Sequence, residues 1–307
     1  MFYSDNLSLK HIIMEVKLNN KKFSVYLGSF LMLLFVISCA TEPKNVATSA
    51  DGVKIAFNQQ GKGEPAIIFI HGWANPKEIW DDQIAHFSQK YRAIAIDLYG
   101  LGESRSNRSD WTMAAFGGDV VSVINKLKIK KVVVVGFSMG ASVAIEAAKQ
   151  LPEKVIGVVL IDDLQDPDIK YPPEVVAFMD SLMMDLVNDM TSEKLLTYGF
   201  YKHNPEAHYK RLLEIYPDTV SQAGWNESLN GYFKWINEDL EGSLKELKVP
   251  VIAINSDLEP TNIEAWRKYI PSFEAKIMTD VGHLIFWENP EEFNRLLEES
   301  IQEFMKK

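Results

Sequence analysis

With 307 residues, 47% of them hydrophobic, the chain carries enough apolar side chains for one large core plus an insertion, which excludes disorder as a description of the whole. A formal net charge of -10 and an isoelectric point near 5.2 exclude the clustered Lys and Arg footprint of a nucleic-acid binder. The one cysteine, Cys39, forbids an internal disulfide, and no Cys/His cluster has the spacing of a zinc site, so neither a metal nor an organic cofactor is expected.

From the N-terminus, Lys17, Lys21 and Lys22 precede an apolar run, Phe23 to Ile37, that ends at Ser38-Cys39-Ala40. A basic region, an apolar region and small residues at a cleavage point form a secretory signal, here over residues 1–38. Residues before Met14 fit the basic region poorly, which makes Met14 a candidate start. Val36-Ile37-Ser38-Cys39 resembles a bacterial lipobox, and the resemblance implies that the Cys39 thiol is acylated and heads the mature chain. A lipid at Cys39 would then hold the protein to a membrane of the bacterial cell envelope. The apolar run is shorter than the ~20 residues of a membrane span, which argues against an uncleaved anchor helix. The polar stretch 39–50 reads as a tether.

From Asp51 onward, short β-branched runs alternate with helical patterns. The expected strands are Val53 to Phe57, Ala66 to His71, Tyr91 to Asp97, Val132 to Phe137, Val155 to Asp162, Pro250 to Asn255 and Glu274 to Thr279. Several (IIFI, VVVV, GVVLI, VIAI) are continuous apolar runs, as strands buried on both faces must be. Met113 to Leu127 repeats its apolar residues every three or four positions, and Met139 to Leu151 and Pro290 to Met305 do the same. Pro290 opens the last of these at a first-turn position, with Glu291 and Glu292 behind it. This order predicts an α/β fold with a mostly parallel, doubly wound sheet. The alternation stops between 171 and 247, where the pattern is helical and rich in Met and aromatic residues. That stretch reads as a helical cap inserted between the core segments 51–170 and 248–307.

Gly136-Phe137-Ser138-Met139-Gly140 follows an expected strand and opens an expected helix. Strand, G-x-S-x-G and helix in that order form a nucleophile elbow, in which the flanking glycines let the backbone turn without Cβ clashes. A serine hydroxyl is a weak nucleophile at neutral pH and needs a base, itself oriented by a third group. His283 is the candidate base: it follows the last expected strand in Asp280-Val281-Gly282-His283, and in this arrangement the histidine comes last in the chain. His86, His203 and His208 have structural readings, on a surface-like helix or in the insertion.

Together with the elbow, three further segments make the chain resemble the α/β-hydrolase superfamily over nearly everything from Asp51 onward. His71-Gly72-Trp73 resembles its oxyanion turn, Asp97-Leu98-Tyr99-Gly100-Leu101-Gly102-Glu103-Ser104 its D-x-x-G-x-G-x-S segment, and Gly282-His283 with Glu288-Asn289-Pro290 its GH-x(4)-E-x-P ending. The resemblance implies that the backbone N–H groups of Trp73 and Met139 form an oxyanion hole, and that His71 shapes its turn rather than moving protons. A serine at 138 argues against the superfamily's dehalogenases and epoxide hydrolases, which use Asp there.

The acid departs from the family pattern. Members usually carry G-x-x-D after the strand that here is Pro250 to Asn255, but this chain reads Asn255-Ser256-Asp257-Leu258-Glu259-Pro260. Glu259 falls at the expected position and is the first candidate; Asp162, at the end of the strand before the insertion, is an alternative that some members use, and Asp257 is a third.

The expected function is hydrolysis of a carboxylic ester or related acyl bond in a small-molecule substrate, with Ser138, His283 and one of these acids as the machinery. Peptide, lactone and carbon–carbon cleavage stay open because a fold does not fix a substrate. The rivals are a non-catalytic binding protein, suggested by the irregular acid loop, and an acyltransferase. Met183, Met184, Phe200, Tyr201, Trp225, Tyr232, Phe233 and Trp235 either line an apolar pocket or form the cap's own core.

Overall fold

A computed structural model describes residues 45–104, 108–215 and 222–306. The expected signal peptide, residues 1–38, and the lipidation site Cys39 lie outside the described residues.

All seven expected strands form, at β2 (Lys54–Gln60), β3 (Ala66–Ile70), β4 (Arg92–Ile96), β5 (Val132–Phe137), β6 (Val155–Ile161), β7 (Val251–Ser256) and β8 (Glu274–Met278). An eighth precedes them: β1 (Val46–Thr48) pairs antiparallel with β2, Val46 opposite Ala56. This strand lies within the 39–50 stretch expected as a tether: Ala47 is fully buried against the sheet edge. A three-residue strand with polar neighbours carries too weak a period to be read from sequence.

The sheet order is β1-β2-β4-β3-β5-β6-β7-β8, antiparallel at β1/β2 and β2/β4 and parallel from β4 through β8. The central strands alternate between two apolar layers, as a two-residue period requires. Ile68, Val134, Leu160 and Ala253 face one layer with α2 (Met113–Lys126) and α3 (Met139–Gln150). Phe69, Val135, Ile161 and Ile254 face the other with α1 (Asp81–Phe87) and α11 (Pro290–Met305). The continuous apolar runs thus fill two layers at once, and this doubly covered parallel sheet is the expected fold class.

Between β6 and β7 the described residues hold α4 (Pro173–Asn188), α5 (Ser192–Thr197), α6 (Pro205–Ile215), α7 (Gln222–Glu238) and α8 (Leu240–Glu246), with no strand among them. The short α9 (Ile263–Tyr269) joins β7 to β8, and α10 (Ile285–Glu288) precedes α11.

Candidate active site

Parallel strands end together at one sheet edge, and the loops leaving those ends carry every candidate residue but those of the tether. Ser138 leaves β5 at φ 50° and ψ -129°, a conformation costly for any residue with a Cβ. Two contacts hold it there: its N–H donates to Ile161 O at 3.0 Å, and its own carbonyl accepts from Ala141 N–H at 2.7 Å as α3 begins. The flanking glycines are required by space, since a Cβ on Gly136 would stand 2.1 Å from Gly140 O and one on Gly140 2.6 Å from His71 O. The Ser138 side chain caps nothing in α3 and stays partly exposed on the wall of a cavity.

The His283 imidazole lines the same cavity. Its Nδ1 lies 2.7 Å from Asp162 Oδ2. Asp162 is 4% exposed and sits at φ 47°, fixed by its N–H to Ile254 O at 3.1 Å and by Ser256 N–H donating to Oδ1 at 2.6 Å. Of the three carboxylates considered from sequence, Asp162 is therefore the one that meets the imidazole. Glu259, the first candidate, is exposed at the cavity wall and makes no hydrogen bond to His283. Asp257 is turned outward, bonded to Lys202 Nζ at 2.9 Å and to Asp280 N–H at 3.3 Å. Glu259 does not meet the imidazole because the β7 loop leaves the sheet after Ser256, while β6, one strand closer to Ser138, brings a carboxylate to it directly.

The histidine loop is held by the insertion. His283 N–H donates to Gly199 O at 2.8 Å and Leu284 N–H to Phe200 O at 3.1 Å. The Glu288 carboxylate accepts from Gly282 N–H, from Lys202 N–H at 2.8 Å and from His203 N–H at 2.5 Å, tying the same segment to the loop. The imidazole also packs against Phe137 (ring centroids 4.6 Å apart) and edge-on to Phe200 (5.7 Å).

On the other side of Ser138, the turn after β3 carries Trp73. Its backbone N–H has no acceptor among the described residues, and Met139 N–H stands at the first position of α3, where no intrahelical acceptor exists. His71 is fully buried; Leu98 N–H donates to its Nε2 at 3.0 Å, so the ring proton sits on Nδ1, which donates to Gly72 O at 2.8 Å. Burial lowers its pKa and keeps it neutral, so it braces the turn as the family resemblance implies.

Sequence reasoning missed Lys77. Its ammonium is 2% exposed and contacts Asp97 at 2.9 Å, Glu103 at 2.7 Å and Glu78 at 2.9 Å. Burial alone would lower its pKa; the carboxylates, Asp97 foremost, reverse that and raise it. Asp97 in turn accepts from Lys77 N–H at 2.8 Å and Glu103 N–H at 2.9 Å, so the cluster ties the Trp73 turn to the segment 97–104. Lys77→Met leaves the fully buried Asp97 carboxylate without its cation and is expected to cost about 3–5 kcal/mol of stability. Urea unfolding of both proteins measures it; a loss under about 1 kcal/mol would contradict this role.

The cavity holds about 380 Å³ and is roofed by the insertion. Met183, Phe200, Trp225, Tyr232 and Phe233 reach its wall, whereas Tyr201 and Trp235 are buried at 1% and 2% exposure and Met184 does not line it. The pocket reading of the aromatic stripe thus holds for five of the eight residues, while Trp235 packs on the α/β core, its Nε1 donating to Glu146 of α3 at 2.9 Å. Trp73 Nε1 donates to Trp225 O at 2.8 Å, which fastens α7 over the turn. Beside Asp162, Asp163 takes the Tyr232 hydroxyl at 2.7 and 2.8 Å on its two oxygens, and burial pushes its pKa up to about 6. Asp163 carried no sequence signal and Tyr232 only that of the aromatic stripe, because their pairing spans 69 positions. Among the described residues no group of three or more His, Cys, Asp or Glu could hold a metal ion.

A family model described as the alpha/beta hydrolase family matches residues 67–296. The chain is 36% identical over 110 residues to an uncharacterized protein of Mycobacterium tuberculosis, a stretch that makes up 36% of this chain and 32% of that protein, so it spans about a third of that relative's length. It is 27% identical over 256 residues to the pimeloyl-(acyl-carrier protein) methyl ester esterase of Nitrosomonas europaea, covering 78% of this chain and 96% of that one. An esterase structure from Exiguobacterium antarcticum superposes with a TM-score of 0.71 at 21% identity, over 84% of this chain and 99% of that one, a likeness of fold.

Proposed function

The chain belongs to the alpha/beta hydrolase family, and within it we propose a serine hydrolase that cleaves a carboxylic ester or related acyl bond of a small molecule through an acyl-enzyme. The observation that carries this reading is the 2.7 Å contact of His283 Nδ1 with Asp162, made on the cavity that Ser138 lines. The carboxylate holds the Nδ1 proton in place and leaves the Nε2 lone pair to take the proton of Ser138. Ser138 Oγ then attacks the carbonyl, and the Met139 and Trp73 N–H groups receive the charge that develops on its oxygen. Donors of this kind typically contribute about 2.7–4 kcal/mol each to the transition state. His283 returns the proton to the leaving alcohol, and a water it then deprotonates releases the acid. The irregular β7 loop no longer favours a non-catalytic binder, since a neighbouring strand supplies the carboxylate.

Labelling with a fluorophosphonate tests the reading. The full chain is expected to be modified at Ser138, and His283→Ala to lose most of that labelling. A wild-type protein that stays unlabelled contradicts it.

The same proposal places the protein at the bacterial cell envelope, held by a lipid on Cys39; the basic, apolar and small-residue order of residues 17–40 supports this. Among the described residues no helix is long and apolar enough to cross a membrane. Metabolic labelling with a fatty acid is expected to mark the expressed wild type and leave Cys39→Ser unmarked. Equal labelling of both proteins would contradict the lipid site.

A further inference from the structure

The cavity beside Ser138 has a charge pattern that bears on its substrate. Met179, Met183, Leu186, Met190, Leu195 and Phe233 supply much of its wall, and among the described residues no Lys or Arg lines it. Beyond Asp162 and His283, its ionisable carboxylates are Asp163 and Glu259. We infer that Asp163, clasped by Tyr232 on the cavity wall, selects esters with an uncharged chain against the same chain ending in a carboxylate. This rests on the ester-hydrolase reading above.

Asp163 is held in place rather than free to swing away. Leu164 N–H donates to its Oδ1 at 2.8 Å, and the Tyr232 hydroxyl from α7 bridges both oxygens. Tyr171 lies close enough that Asp163 and Glu259, after burial, help push its pKa up to about 12. The groups around Asp163 are thus Asp162 on its own loop, Tyr232 on α7, Tyr171 ahead of α4, Glu259 after β7 and His283 after β8. Only His283 among them can become a cation, and as a base it is neutral when substrate binds. A carboxylate entering this space gives up water, finds no positive partner and meets the charge of Asp163. At an effective dielectric near 20, two like charges about 6 Å apart repel enough for a discrimination on the order of a hundredfold. Glu259 is exposed and screened by solvent, so it adds less.

The test compares p-nitrophenyl hexanoate with the mono-p-nitrophenyl ester of adipic acid, which has the same acyl length and a terminal carboxylate. With the purified full chain at pH 8, kcat/KM for the hexanoate is expected to exceed that for the adipate about a hundredfold, chiefly through KM. Asp163→Asn is expected to shrink that ratio at least tenfold. Because burial pushes the Asp163 pKa up to about 6, the wild-type ratio is also expected to fall between pH 8 and pH 5.5. Any pH dependence common to the two esters cancels in the ratio, so this arm holds even if the variant folds poorly. A wild-type ratio below about threefold overturns the inference, as does one unchanged both by Asp163→Asn and by pH. Hydrolysis of neither ester would instead sink the ester-hydrolase reading and this inference with it.

Discussion

Ser138→Ala is expected to lower kcat by about 10⁴- to 10⁶-fold, a barrier increase of about 5.5–8 kcal/mol, while substrate still binds the unchanged cavity. The size of the loss follows from the proposed mechanism, in which no acyl-enzyme forms without Oγ and the oxyanion donors are left to assist only direct attack by water. Stability should separate from activity at this position. Ser138 stands at φ 50° and ψ -129°, where a residue with a Cβ stores about 1–3 kcal/mol. Glycine enters that region freely but adds about 0.5–1 kcal/mol of unfolded-state entropy. Ser138→Gly should therefore be as inactive as the alanine variant and yet melt at a higher temperature than it. Parallel thermal scans and initial rates decide; a glycine variant that melts below the alanine one would show that the elbow is unstrained.

The second large effect concerns the acid. Asp162→Asn is expected to cut kcat by about 10³- to 10⁴-fold with KM little changed. The amide nitrogen would donate where Oδ2 now accepts, turning the imidazole into the tautomer whose proton faces Ser138 and blocks transfer. Glu259→Gln is expected to cost no more than about tenfold, since that side chain makes no hydrogen bond to His283. If the two losses came out reversed, the 2.7 Å contact at Nδ1 would not be the functional one, and the β7 loop would have to rearrange during turnover. Steady-state kinetics with one p-nitrophenyl ester suffices for both variants.

The legible parts of this protein are those where one residue's environment is set by its near neighbours. Apolar runs such as Ile67 to Ile70 and Val132 to Val135 specify strands covered on both faces, and the strands lie where they were expected. The elbow is equally local, because Gly136 and Gly140 answer to atoms within a few residues or on the adjoining strand. What was not legible depends on pairings far apart in sequence. His283 and Asp162 are 121 positions apart, and the rank given to Glu259 came from counting along a loop whose path the sequence does not reveal. The Lys77 cluster escaped for a related reason: a lysine in a loop reads as solvated until Asp97, 20 positions on, folds over it. Similarly, the cap's aromatic residues could be assigned to wall or core only once α7 was seated on the Trp73 turn.

The account turns on a covalent bond to one oxygen. Quenching the full chain during turnover of a slowly hydrolysed p-nitrophenyl ester, followed by peptide mass spectrometry, reads that bond directly. The predicted result is the acyl mass on the peptide containing Ser138, appearing with a burst of p-nitrophenol and persisting longer in Asp162→Asn. Sustained turnover with that peptide unmodified, or the acyl group on another residue, would contradict it.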